Sequence, residues 1–172
     1  MKSSQLADLV IYPTESSYAL GCRYNDKAAI RRIMQLKGRR DDRFTVIASS
    51  LQQVQKHFKL SAEQLQLAKQ YWPGALSIVV SPKYAIRVPV TAAARKLAQE
   101  MGTPILATSL NISGEPAIYD LRHLVETRLI ASLRANVNII DDGPLPKNSP
   151  STVIECFRGG YVIHRQGAVT LV

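Results

Sequence analysis

The chain has 172 residues, 46% of them hydrophobic and 20% charged, the composition of one globular domain rather than of a disordered or fibrous chain. Its 22 Lys and Arg against 13 Asp and Glu give a formal charge of +9, which favours anionic partners such as nucleic acid, nucleotide or an acidic surface. No apolar run nears the roughly 18 residues that span a bilayer, and Met1 to Asp8 carries no apolar secretion segment. A soluble cytoplasmic protein with no membrane partner is therefore expected, folded as a single domain over residues 1–172.

In chain order, Leu9 to Tyr12 reads as an apolar strand ending at Pro13, and Tyr18 to Arg23 as a second one. From Asp26 the period changes. Ala29, Ile30, Ile33 and Met34 share one helical face, Lys27, Arg31, Arg32 and Gln35 the other, and Gly38 stands where a C-terminal cap belongs. Phe44 to Ala48 suits a buried strand, after which Ser49 or Ser50 caps a helix with Leu51, Val54 and Phe58 on one stripe. Ser61 and Gln64 have the spacing of a capping box, opening a helix that Pro73 ends.

Strands at Leu76 to Val80 and Ala85 to Val88 flank a Ser81-Pro82 turn. Thr91 then opens a helix that buries Ala94, Leu97, Ala98 and Met101 and stops at Gly102. Ile105 to Thr108 is a strand, Ser109 to Pro116 a polar loop, Asp120 to about Ala135 a helix, Val137 to Ile140 a strand and Asp141 to Pro150 a loop. Thr152 to Phe157 and Tyr161 to Arg165, around Gly159-Gly160, predict a closing hairpin. The order implies an α/β domain: one mixed sheet with helices packed on it.

Cys22 and Cys156 are the only cysteines, without a C-x-x-C or a nearby histidine, so they read as thiols and no metal site is expected. His57, His123 and His164 are scattered and read as structural. The sequence has no G-x-x-x-x-G-K, G-x-G-x-x-G, G-x-S-x-G or H-E-x-x-H, so the commonest phosphate loops, the serine elbow and the zinc protease helix are excluded.

Three groups could carry chemistry. Arg31, Arg32, Lys37, Arg39, Arg40 and Arg43, offset by Asp41 and Asp42, either complement a helix dipole in solvent or project Lys37 and Arg39 toward phosphates, where a guanidinium can hold two oxygens. Ser109 and Asn111 follow a strand end, where α/β sheets bind ligands, yet both are also ordinary turn formers. Pro13-Thr14-Glu15-Ser16 is the third.

Together these segments resemble the YrdC-like threonylcarbamoyl-AMP synthases from Leu9 to about Val169. Tyr12-Pro13-Thr14-Glu15-Ser16 with Tyr18-Ala19-Leu20-Gly21 looks like the opening signature, Lys37-Gly38-Arg39 like the K-x-R element and Ser109-Leu110-Asn111 like the S-x-N element. Trp72-Pro73-Gly74, Arg87-Val88-Pro89, Ile112-Ser113-Gly114 and Ser151-Thr152-Val153 fall in family order.

The resemblance implies a twisted sheet with a concave, basic face. There L-threonine, bicarbonate and ATP would give threonylcarbamoyl-AMP and pyrophosphate, for transfer to a tRNA adenine by a partner complex. It further implies that Lys37, Arg39, Arg43 and Arg165 contact ATP, that Ser109 and Asn111 hold nucleotide and substrate, and that Thr14, Ser16, Arg87 and Ser151 hold threonine. Mg²⁺ would travel with the phosphates.

Arg40 stands at a usual proline, Phe44-Thr45 at a usual Pro-Leu, Leu110 at a small residue and Ala19 at a glycine, and a leading helix is expected to be absent. Tyr18-Ala19-Leu20-Gly21-Cys22, Phe44-Thr45 and Thr108-Ser109-Leu110 are similar to the YciO-like paralogues. These imply a second reading, a tRNA- or double-stranded-RNA-binding module without synthase activity.

Overall fold

The computed structural model describes residues 8–122 and 137–171. The helix expected over Asp120 to about Ala135 falls almost wholly outside them. The described elements are β1 (Leu9–Pro13), β2 (Tyr18–Gly21), α1 (Lys27–Lys37), β3 (Phe44–Ile47), α2 (Leu51–His57), α3 (Ala62–Tyr71), β4 (Leu76–Val79), β5 (Tyr84–Arg87), α4 (Ala92–Glu100), β6 (Ile105–Ser109), β7 (Val137–Ile139), β8 (Thr152–Phe157) and β9 (Gly160–Arg165).

The strands form one mixed sheet in the order β7-β1-β2-β6-β3-β5-β4-β8-β9. Pairs β7/β1, β3/β5 and β4/β8 are parallel and the remaining neighbours antiparallel, as the mixed order of elements in the sequence implies.

Side-chain alternation divides the sheet between its two faces. On one face Ala29 and Ile33 of α1 pack on Leu9, Ile11, Tyr18, Leu20, Phe44 and Leu106. Val54 of α2 meets Val46 and Ile86 there, and Ala68 of α3 meets Leu76, Ile78 and Ile154. Each fully buried Ile or Leu contributes about 2 kcal/mol of transfer free energy.

On the opposite face, among the described residues, α4 is the helix that packs, through Ala94, Leu97 and Ala98 against Val10, Tyr12, Ile47 and Ile105. Register then decides what is left uncovered. Thr45 pairs with both Ala85 and Ala107, and these half-buried residues continue the α4 face beyond the end of that helix. A shallow floor results, with polar connections around it.

The caps explain where the helices start and stop. Asp26 Oδ1 accepts from the Ala28 and Ala29 amides at 3.0 Å and starts α1. Gly38 ends it at φ 61°, where a side chain would be strained, so that Gly38 N–H reaches Gln35 O and Arg39 N–H reaches Met34 O. Ser61 and Gln64 make both bonds of the expected capping box, and Ser50 rather than Ser49 caps α2. Thr91 behaves otherwise: its hydroxyl donates to Glu15 Oε2 at 3.1 Å, so a residue chosen for a helix start is committed to a tertiary partner.

Candidate functional site

Above the open floor lies a hollow of about 450 Å³. Five segments of the chain enclose it. The turn from α1 to β3 contributes Arg39 and Arg43, and the end of β6 contributes Ser109. The connection from β1 to β2 brings Thr14 and Ser16, the end of β5 brings Arg87, and the β8–β9 region brings Ser151 and Arg165. Asn148 and Tyr119 complete the rim, with Thr45 and Ala107 in the floor.

At one end Arg39 lies over the Phe44 ring, 4.8 Å from guanidinium carbon to centroid, and its Nη2 donates to Arg43 O at 2.5 Å. Arg43 grips Asp41 with two parallel bonds, Nε to Oδ1 at 3.1 Å and Nη2 to Oδ2 at 2.9 Å. Those bonds hold the exposed Asp41 carboxyl down to about 2. A second open hollow of about 440 Å³ shares Arg39, Arg43 and Thr45 and runs on toward Lys83 and the His164–Glu155 pair.

Lys37 and Asn111 do not line the 450 Å³ hollow; they meet directly behind its Ser109 wall. Lys37, only 4% exposed, donates from Nζ to Ser109 O at 2.6 Å, Asn111 O at 2.8 Å and Asn111 Oδ1 at 2.8 Å. Burial, with Arg39 as a lesser cause, pushes its ammonium down to about 8. Asn111 Oδ1 also accepts from Ser109 Oγ at 2.7 Å, and Asn111 Nδ2 donates to Glu115 O at 2.5 Å. Asn111 faces a separate apolar hollow of about 510 Å³ beside Tyr119 and Leu145.

At the other end Arg87 is 5% exposed and bonded through Nη1 to Glu15 Oε1. Among the described residues its Nε, also buried, has no hydrogen-bond partner. Arg165 Nε donates to Ser151 O at 3.0 Å and Nη2 to Ser151 Oγ at 3.1 Å, while Ser151 Oγ meets Ser77 Oγ at 2.9 Å. Burial and then the nearby Arg87 charge lower the Arg165 pKa. Arg87 and Arg165 thus lie close enough to repel each other and share this end of the hollow with Ser151, an arrangement that favours a carboxylate or phosphate oxygen there.

Thr14 shapes the third wall, its Oγ1 donating to Ser17 O at 2.7 Å and accepting from the Ser16 and Ser17 amides at 3.3 Å. The buried Tyr18 hydroxyl ties in the loop that carries Asn148. It lies 2.8 Å from Asp141 Oδ1 and 2.7 Å from Gly143 O, and accepts from the Asp142 amide at 3.0 Å. Burial, then the Asp141 bond, pushes its pKa up to about 12.

The sequence-based set missed Tyr119 and Asn148 on the rim and, beside Arg87, Glu15. Glu15 was visible within the Thr14-Glu15-Ser16 run, but its partners Arg87 and Thr91 lie 72 and 76 positions away. Among the described residues no group of three His, Cys, Asp or Glu is arranged to hold a metal.

The open face of the α/β sheet gathers four arginines around hydroxyl side chains, a site suited by its charge to anions. The chain belongs to the Sua5/YciO/YrdC family, whose model, described as telomere recombination, matches residues 5–167.

It is 34% identical to the threonylcarbamoyl-AMP synthase of Pyrococcus abyssi across 95% of its own length and 51% of that protein's. The solved structure of P. abyssi Sua5 complexed with L-threonine superposes with a TM-score of 0.79 at 32% identity, over 93% of this chain and 50% of that one. E. coli YciO superposes at 0.75 with 26% identity, over 94% and 84% respectively. The chain therefore spans about half the length of the curated synthases it matches first.

Proposed function

We propose that the chain is a threonylcarbamoyl-AMP synthase that joins L-threonine, bicarbonate and ATP and feeds a tRNA adenine modification. The observation that carries this reading is the single hollow with two differently built cationic ends: Arg39 and Arg43 beside Ser109 at one, Arg87, Arg165 and Ser151 at the other. The relative solved with L-threonine, at 32% identity, supports an amino acid as occupant.

In this reading the threonine amine adds to bicarbonate with loss of water, giving an N-carboxylate. A carboxylate oxygen attacks the α-phosphorus, and the bond to pyrophosphate breaks as the new P–O bond forms. No side-chain nucleophile is needed. The demands are in-line placement and neutralisation of the leaving pyrophosphate.

Arg39 and Arg43 face the phosphates, Arg165 the nucleotide, and Ser109 the boundary between nucleotide and substrate, with Asn111 bonded to Ser109 behind that wall. Arg87 and Ser151 take the threonine carboxylate, with Thr14 and Ser16 forming the adjacent wall. Mg²⁺ would accompany the phosphates and neutralise part of their charge.

The test is pyrophosphate release from purified protein, which should require ATP, threonine and bicarbonate together. Release without threonine, or none, refutes the proposal. Arg39→Ala should lower the rate about a hundredfold, the scale of removing one preorganised charge contact.

A second reading, RNA binding without synthesis, is favoured by the match to most of the length of YciO and by the +9 charge. It predicts tRNA affinity falling by orders of magnitude between about 50 and 200 mM salt, with no pyrophosphate released. Salt-insensitive tRNA binding rules it out.

A further inference from the structure

We infer that Lys37 is a positioning residue: its ammonium holds the loop after β6 from beneath, leaving phosphate contact to Arg39 and Arg43. The inference deepens the reading of the site as a nucleotide site, and depends on it only for naming phosphate as the ligand.

An ammonium has three N–H donors. All three are accounted for by protein oxygens, Ser109 O, Asn111 O and Asn111 Oδ1, each within 2.8 Å. The side chain is 4% exposed and absent from the lining of the hollow, whereas Arg39 and Arg43 line it. The Lys37 carbonyl strengthens the same joint by accepting from the Ser113 amide at 3.3 Å.

Geometry supplies the reason for two cations with different tasks so close in sequence. Lys37 is the last residue of α1, so its side chain still lies along the helix, toward β6. The left-handed Gly38 then turns the chain, and Arg39 leaves in another direction, onto the Phe44 ring at the hollow's edge.

Fixing the Asn111 oxygen also fixes its amide. With Oδ1 held by Lys37 and Ser109, Nδ2 is directed to Glu115 O, and the loop from Ser109 to Glu115 is closed on itself. Without the ammonium, the Ser109 and Asn111 carbonyls would lose this donor, and Asn111 Oδ1 would keep only the Ser109 hydroxyl. The loop would have to open to hydrate them.

The bond set also makes the pin dependent on charge, because a neutral amine has only two N–H groups for three acceptors. The pin is complete below the titration of Lys37, near 8, and is lost as pH rises through it.

The test is amide hydrogen exchange on the ligand-free full chain carrying Lys37→Met, a side chain of similar length that suits a buried niche. Exchange at Leu110, Asn111, Ser113 and Glu115 should rise at least about tenfold over the wild type, while Leu106, bonded to Cys22 O at 2.8 Å, stays protected. Unchanged loop protection overturns the inference.

Should that variant fail to fold, the lysine ammonium resonances of the wild-type protein decide. Lys37 protons must exchange at least tenfold more slowly than those of exposed Lys56, and a rate equal to that of Lys56 refutes the pin. Saturating ATP with Mg²⁺ should leave the Lys37 titration in place, and a rise of a unit or more would mean direct phosphate contact. If ATP fails to bind at all, the nucleotide reading falls while the exchange results still judge the pin.

Discussion

Glu15→Ala should destabilise the protein far more than a change at a loop residue ordinarily does. The carboxylate accepts from Arg87 Nη1 and from Thr91 Oγ1, and the Arg87 and Glu15 side chains are 6% and 18% exposed. Removing one member of a buried pair costs roughly 3–5 kcal/mol, because the other charge stays buried without compensation. Water can reach the Glu15 side, which sets the expectation at the lower end, about 3 kcal/mol. For a chain of this size that corresponds to a fall in Tm of about 6–12 °C.

Arg87→Met leaves the better-hydrated partner and should cost about 2 kcal/mol, and the double variant also about 2, since joint removal of a buried pair is often close to neutral. The double-mutant cycle then yields a coupling of about 3 kcal/mol. Urea unfolding followed through Trp72, the single tryptophan, measures all four proteins. A coupling under about 1 kcal/mol, the value of an exposed ion pair, refutes the reasoning.

Pyrophosphate release should decline as pH rises past about 8, because Lys37 acts in its charged form. In Arg39→Ala the Lys37 titration, followed by NMR, should move to higher pH, since a repelling neighbour is gone and the ammonium is easier to keep; a move downward contradicts the assignment. Gly21→Ala should cost 2 kcal/mol or more in urea unfolding, on the order of an overpacked core. Its new Cβ would stand 2.2 Å from Leu106 O and 2.9 Å from the Tyr12 ring, at the close approach of β2 to β6.

The elements legible in the sequence were those whose signal is local. The period through Ala29, Ile33 and Met34 with Gly38 at its end specifies α1 without reference to any other part of the chain. The Ser61–Gln64 box does the same for α3. What depended on sheet order was not legible: β6 sits between β2 and β3, and only that insertion brings Ser109 beside Lys37.

Thr91 and Ser109-Leu110-Asn111 show the limit from both sides. Thr91 reads as a cap and is spent on Glu15. Asn111 reads either as a turn former or as a site residue, and it is bonded within its own loop while that loop forms the edge of the hollow. Leu110, at the position where a small residue is usual, points to the core and is fully buried, so its bulk is absorbed on the helix side of the sheet.

A hollow with four guanidinium groups would repel itself if each were free, and the structure resolves this by lending each one a partner within the chain. Arg43 has Asp41, Arg87 has Glu15, Arg39 has the Arg43 carbonyl and the Phe44 ring, and Arg165 has Ser151. Because a guanidinium carries five donors, a partner on one edge fixes its direction without consuming the rest. The buried Nε of Arg87 is such a remainder. The internal partners therefore act as orienting groups rather than as competitors for ligand. Their removal should weaken binding by loosening the arginines even though the net positive charge of the hollow increases. Simple charge attraction predicts the reverse, so the sign of the change in threonine affinity of Glu15→Ala separates orientation from attraction: weaker binding marks orientation, tighter binding attraction.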